Sequence, residues 1–254
     1  MKYFVIIVIF LFSLKTYSCS CESRTVSNKF AQSEFVAKGK IVKNYKNKGD
    51  ETVYKSDIII FDLYKGPQLK SIYVSGNNGA NIMTSCDIFI AEETELIFYA
   101  YKSNQGKYTI GMCSGLVYLN RKKSSKLIRS QNREFKILKS LQKLENKVFN
   151  KLKFYSSDLS ENLKSLNGLK IKKEYGVFEL VFDKKLSILK INSISNFKNK
   201  NIDKEVIKIL KSSPWKLAGK YKDGYQKKQY KYIIDIYYYP KEGHNKSFLS
   251  IFNL

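Results

Sequence analysis

Four cysteines, at positions 19, 21, 86 and 113, are all that the chain carries, and every one falls in its first half. The segment before them fixes their chemistry. Lys2 supplies a short positive start, Phe4 to Leu14 is almost unbroken apolar sequence, and Thr16-Tyr17-Ser18 puts small residues at −3 and −1 relative to Cys19. That is the layout of a cleavable secretory signal. The apolar run is about a dozen residues, short of the roughly 20 that span a bilayer. Residues 1–18 therefore read as a signal removed on export, with no transmembrane segment left after cleavage. An even number of cysteines in an oxidising compartment then reads as two disulfides. The half without cysteines must hold together by its core alone, which places a domain boundary between the two.

A cysteine directly after the cut is also where a lipid anchor attaches. Leu is usual where Thr16 stands and Tyr17 is bulky, so the expected location is secreted or periplasmic, with a lipoprotein as the alternative. Residues 19–254 are long enough for two modest domains. The formal net charge is +24, a balance that raises nucleic acid as a partner. Nearly all of it is Lys, with Arg only at positions 24, 121, 129 and 133. Base-reading sites favour the bidentate fork of Arg, and no nucleic-acid module is recognisable, so no nucleic-acid partner is expected.

The first half alternates like a small barrel or sandwich. Phe35 to Val42, Val53 to Leu63, Ser71 to Val74, Ile88 to Ile90, Glu95 to Tyr101 and Lys107 to Met112 read as short strands, punctuated by Gly66-Pro67, Gly76-Asn77-Asn78-Gly79 and Asn104-Gln105-Gly106,. From about Ser130 the period changes. Phe135, Leu138, Leu141, Leu144 and Val148 recur at helical spacing, with Lys, Gln and Glu on a face read as solvated,. Phe154 to Leu169 is polar and reads as a linker. The order after Gly168 is β, β, α, β: Tyr175 to Phe182, a turn at Asp183-Lys184-Lys185, Leu186 to Ile194, a helix capped by Asp203 and stopped by Pro214, and Tyr230 to Tyr239,.

The first stretch resembles a family. Cys19-Ser20-Cys21, then Glu34 to Val42, Leu63-Tyr64-Lys65-Gly66, Ser85-Cys86 and Cys113 are similar in order and spacing to the N-terminal domain of tissue inhibitors of metalloproteinases, within the netrin-like group. The resemblance covers about residues 19–120 and implies an OB-type five-stranded barrel. It also implies the pairings Cys19–Cys86 and Cys21–Cys113, and a protease-binding ridge made of Cys19, Ser20, Cys21, Thr84, Ser85 and Cys86. On that pattern the free amine and carbonyl of Cys19 chelate the partner's zinc in trans, and Ser20 enters the pocket beside it. Glu22 departs from the family, as do the missing third disulfide and the missing Cys-rich C-terminal part.

Residues 175–239 resemble the C-terminal domain of TonB-type periplasmic proteins. The likeness rests on Gly176 to Asp183, Asp203 to Leu210, Ser212-Ser213-Pro214-Trp215-Lys216-Leu217-Ala218-Gly219 and Tyr232 to Tyr237. It implies a three-stranded sheet with one helix, binding envelope proteins through residues 175–254 by strand addition. Three prolines in all leave no long Pro-rich spacer for energy transduction.

The expected organisation is thus mainly β with α. A signal occupies 1–18, an OB-type domain 19–120, a helix and linker 121–170, and a small α+β domain 171–254. No enzyme is expected. His244 is the single histidine and has no triad motif around it. Glu92, Glu93 and Glu95 read as solvated charge, and Gly76 to Gly79 lacks the Lys and helix of a phosphate loop. No resident metal or cofactor is expected.

Overall fold

Phe35–Asn44 (β1) is the strand on which the first unit closes. In a computed structural model, which describes residues 19–48, 51–79, 84–119, 124–144, 152–218 and 229–253, it pairs antiparallel with strands on both sides. Its neighbours are Val53–Lys65 (β2) and Glu95–Lys102 (β4). Ser71–Ser75 (β3) continues from β2, and Tyr108–Ile110 (β5) joins β3 in parallel and β4 in antiparallel register. The order β1-β2-β3-β5-β4, returned to β1, is a closed mixed barrel with no free edge,. Three register shifts bend β1 against β2,. Gly39 lies at one of them, where a Cβ would stand 2.3 Å from the Ile59 carbonyl oxygen.

Period-two alternation explains why both faces of these strands are apolar. Phe35, Ala37 and Ile41 of β1 and Leu96, Phe98 and Ala100 of β4 fill the barrel,. Val36, Ile97 and Tyr99 point outward, under Val26–Gln32 (α1) and Ser125–Gln142 (α2). Val117–Tyr118 (β6) adds a short antiparallel pairing to β4. The side chain of Thr25 caps α1 and that of Ser124 caps α2,.

The second unit is a four-stranded antiparallel sheet. Tyr175–Asp183 (β8) and Ile188–Ser195 (β9) form a hairpin, Gln229–Tyr239 (β11) lies on the other side of β8, and Phe248–Ser250 (β12) is the far edge. Phe154–Tyr155 (β7) pairs with Lys216–Leu217 (β10) beside it. Phe178, Leu180 and Phe182 of β8 face Lys200–Ser212 (α4) and Leu159–Leu163 (α3), with Trp215 and Phe154 in the same core. Val177, Ile233 and Tyr237 project from the opposite face and pack with α1, α2 and the outer wall of the barrel. That sheet is therefore covered on both sides, as the continuous burial of residues 175–182 of β8 shows, with Glu179 the one charge among them,.

The chain is mainly β with a few helices, a closed five-stranded barrel with a helix followed by a smaller sheet unit, as expected. Details differ. Ile88 to Ile90 is loop, its end tied where Ile90 N–H donates to Tyr54 Oη at 2.9 Å. Residues 154–169 do not link: Phe154, Leu159, Leu163 and Leu166 are buried in the second core. Their spacing is too irregular for any periodic signal. The second sheet has four strands because three residues near the C-terminus add β12. Asn199, rather than Asp203, caps α4, and Asp203 instead accepts the Phe197 N–H at 2.8 Å. The α2 face read as solvated holds Gln131 and Glu134, both 4% exposed. Residues 1–18, Arg121, Val148 and Gly219 lie outside the described residues. No helix among the described residues is long and apolar enough to cross a membrane.

Candidate functional site

Two disulfides assemble the six residues singled out above. Cys19 bonds Cys86 and Cys21 bonds Cys113, with Cα–Cα distances of 5.3 and 5.1 Å. Ser20 sits between the two bridges and is exposed, as are Cys21, Thr84, Ser85 and Cys86. The two bridges thus bring Cys19-Ser20-Cys21 beside the 84–86 turn, and both segments face solvent.

Each strand of the ridge has its own support. In the turn, Thr84 N–H and Oγ1–H donate to the Asp87 carboxylate at 2.8 and 2.6 Å. Ile88 N–H then donates to Ser75 O at 3.3 Å, joining the turn to the end of β3. Gly76 permits that approach, since a Cβ there would stand 1.9 Å from the Ile88 carbonyl oxygen,. On the N-terminal side, the Arg24 guanidinium donates to the Cys113 carbonyl and to Gln32 Oε1, the latter at 2.9 Å. Glu22 forms an ion pair with Lys153 from the second unit. Beside the ridge runs a groove of about 440 Å³, lined by Cys19, Cys86, Cys113, Tyr101 and Met112 among others. Tyr101 and Met112 are about half exposed, as is Phe89 next to the turn.

The same N-terminal segment is clamped from below. Ser27 of α1 donates its N–H, at 2.7 Å, and its hydroxyl to the Asp235 carboxylate of β11. Tyr237 Oη donates to the same carboxylate at 3.1 Å and accepts the Val26 N–H at 3.4 Å. Asn28 donates to Tyr232 Oη at 3.2 Å. Asp235 is fully buried, and burial outweighs its donors and raises its pKa above the ordinary carboxylate value,. Burial first, and then Asp235, hold Tyr237 well above the phenol range, so it stays a donor. A second buried cluster lies between α1, α2 and the barrel. Glu134 accepts from Lys29 and, at 2.6 Å, from Tyr99 Oη, while the Lys29 ammonium stands 4.4 Å from the Tyr99 ring centre. Buried ionic groups of this kind require such complete partnering.

Sequence reasoning missed Asp235, Ser27 and Glu134. Their role is set by contacts across more than 100 residues of chain, and for Ser27 and Glu134 nothing in the local pattern marks it. The signal that was available is Asp235 in the middle of an otherwise apolar and aromatic strand. His244 is exposed in a C-terminal turn and stands apart from the ridge residues. Glu93 pairs with Lys40 at 2.6 Å and Glu92 accepts the Asn44 N–H, as surface carboxylates do. Among the described residues, no three His, Cys, Asp or Glu side chains converge as metal ligands.

In comparison with known proteins, no protein-family model matches this chain, and no curated protein matches it.

Proposed function

We propose that the exported form of this chain begins at Cys19 and acts, without catalysis of its own, as an inhibitor of a zinc metalloprotease. The observation that carries the reading is the double tethering of the N-terminal tripeptide, Cys19 to Cys86 and Cys21 to Cys113, with Ser20 exposed between them. The resemblance to tissue inhibitors of metalloproteinases is of the same kind: an OB-type barrel presenting its own N-terminus.

The chemistry follows from the free end. A catalytic zinc keeps one coordination position for water. The α-amine and carbonyl oxygen of one residue are spaced to take that position as a pair. Bridges that already hold the residue still reduce the ordering cost of binding. The amine must be neutral to coordinate, and its reference pKa of about 7.7–8.0 makes that accessible at neutral pH. Ser20 then points past the metal into the adjoining pocket, and Thr84 and Ser85 widen the contact. Tyr101, Met112 and Phe89 supply apolar surface at the rim.

Purified protein starting at Cys19 and the same protein with one alanine before Cys19 are to be compared against a panel of zinc metalloproteases. The native start inhibits at least one of them, more strongly as pH rises from 6 to 8. The extended form loses inhibition by roughly a hundredfold or more, because an amide nitrogen replaces the amine. Equal inhibition by both forms contradicts chelation.

A second reading rests on β9. Among the described residues it pairs with β8 alone, at the edge of its sheet, and Leu189 on it is about half exposed. Strand addition of an envelope protein there is the adaptor function, and it does not depend on the residue before Cys19. The same pair of proteins therefore separates the two readings.

A further inference from the structure

A groove separate from the one beside the disulfides lies where α2 meets the entry to β8 and the turn before α4. Its volume is about 760 Å³, within the range of small-ligand sites. Cationic side chains from both units line it: Arg129, Arg133 and Lys136 from α2, Lys172 and Lys173 before β8, and Lys198 before α4. One carboxylate, Glu174, shares the lining and is 3.7 Å from Arg129 Nε.

Arg129 is paired with Glu174 and Glu242, and the other five cations divide into two sets. Arg133 is 2% exposed, its guanidinium 4.5 Å from the Tyr239 ring centre and donating to Tyr238 O, so it shapes the wall. Lys173 is likewise fixed, donating to Ser195 Oγ and Asn196 O at 2.6 Å each above the ring of Tyr175. Lys136, Lys172 and Lys198 are exposed, and among the described residues none of the three pairs with a carboxylate. Lys198 also has φ of 57°, a left-handed conformation that costs a residue with a Cβ,. Burial first, and then the charge of Lys198, hold the Lys173 ammonium below its ordinary pKa. The groove is therefore a concave surface crowded with like charge, where the low-dielectric wall concentrates the potential.

We propose that this groove binds a small polyanion bearing two or more phosphate groups, held between the two units by Lys136, Lys172 and Lys198. Ammonium groups on flexible stems suit a ligand whose charges are spread over several tetrahedral oxygens. The groove is too large for a single phosphate, and its two fixed cations, Lys173 and Arg133, leave a polar floor. The ligand is supplied either free in solution or as the headgroup of an anionic phospholipid, and the chemistry at the lysines is the same.

The test is calorimetric titration of the full exported chain with inorganic tripolyphosphate, together with sedimentation with phosphatidylglycerol vesicles. Two triple variants are compared with it, K136Q/K172Q/K198Q in the groove and K46Q/K48Q/K70Q on the barrel. Both remove three exposed charges, and matching denaturation midpoints confirm that both fold. The expected result is one saturable site whose affinity falls roughly tenfold or more in the groove variant and less than about twofold in the barrel variant. Binding of vesicles alone, with the same dependence on the groove lysines, also supports the site and assigns the phosphate to lipid. Equal weakening in both variants means diffuse charge attraction and overturns the proposal. Absence of binding to either probe overturns it as well.

Discussion

Replacing Cys21 and Cys113 together by serine is expected to lower the free energy of unfolding by about 3–5 kcal/mol. The bridge closes a loop spanning 92 positions, and opening it restores that freedom to the unfolded chain. In the folded chain, Cys21 leaves the ridge attached through Cys19–Cys86 and the Arg24 contact to the Cys113 carbonyl. Denaturant unfolding reads the first effect as a lower midpoint with a steeper slope, because the unfolded chain without the cross-link exposes more surface. The second is read by protease inhibition, expected to weaken roughly tenfold or more because Ser20 is no longer held from both sides. An unchanged midpoint would show that this loop is not closed by a bridge in solution.

Asp235→Ala is the other large effect, although the residue lies in the second unit. The substitution strands the Ser27 N–H, the Ser27 hydroxyl and the Tyr237 hydroxyl in a fully buried site. The expected loss is about 3–5 kcal/mol, because the buried donors lose their only strong acceptor. It also loosens the hold of β11 on α1, leaving the contacts of Tyr237 with Val26 and of Tyr232 with Asn28. Asp235→Asn keeps one acceptor and costs less. Its pH dependence has a definite sign. Burial raises the folded-state pKa of Asp235 above 3.8, so the folded chain holds this proton more tightly than the unfolded chain. The resulting stability is fully present below the unfolded value and is lost as pH rises through the raised folded one. The deficit of Asp235→Asn relative to the parent is therefore largest near pH 3.5–4 and shrinks toward neutrality. Unfolding midpoints across that range check it, and a deficit that grows with pH would contradict the buried-carboxylate account.

Local pattern made the barrel legible. β1, β2, β3 and β4 are long enough to alternate, and the turns between several of them carry glycine at positive φ, as at Gly66 and Gly106,. The disulfides were legible for a different reason: four cysteines announce two bridges, and the family resemblance, not periodicity, implied which pairs form. What stayed hidden depends on packing between distant segments. α1 is seven residues long, too short to be stable alone, and it persists because Val26 and Phe30 are buried between the barrel and β11. Residues 154–169 look like solvent-exposed chain until Leu159 and Leu163 meet α4 and the second sheet. The charged face of α2 looked solvated because a 3.6-residue period reports one buried stripe. Here α2 lies in a seam between two units and is covered on more than one side, so Arg133 and Glu134 are buried with Ile137,.

That shared seam changes how the two halves are understood. The second sheet packs against the first unit, and residues 154–169 are part of its core. It completes the burial of the barrel's outer wall and holds the N-terminal segment through Asp235, Tyr237, Tyr232 and Lys153. If Cys19-Ser20-Cys21 binds as proposed, that support lowers the cost of binding, since each freedom removed beforehand is not lost on binding.

The measurement that bears most directly on this account is the intact mass of the exported protein, taken before and after reduction and alkylation. The account predicts a chain starting at Cys19, no added mass on its amine, and four thiols alkylated only after reduction. A chain that keeps residues before Cys19, or that carries lipid on Cys19, would have no free amine at the ridge and would contradict it.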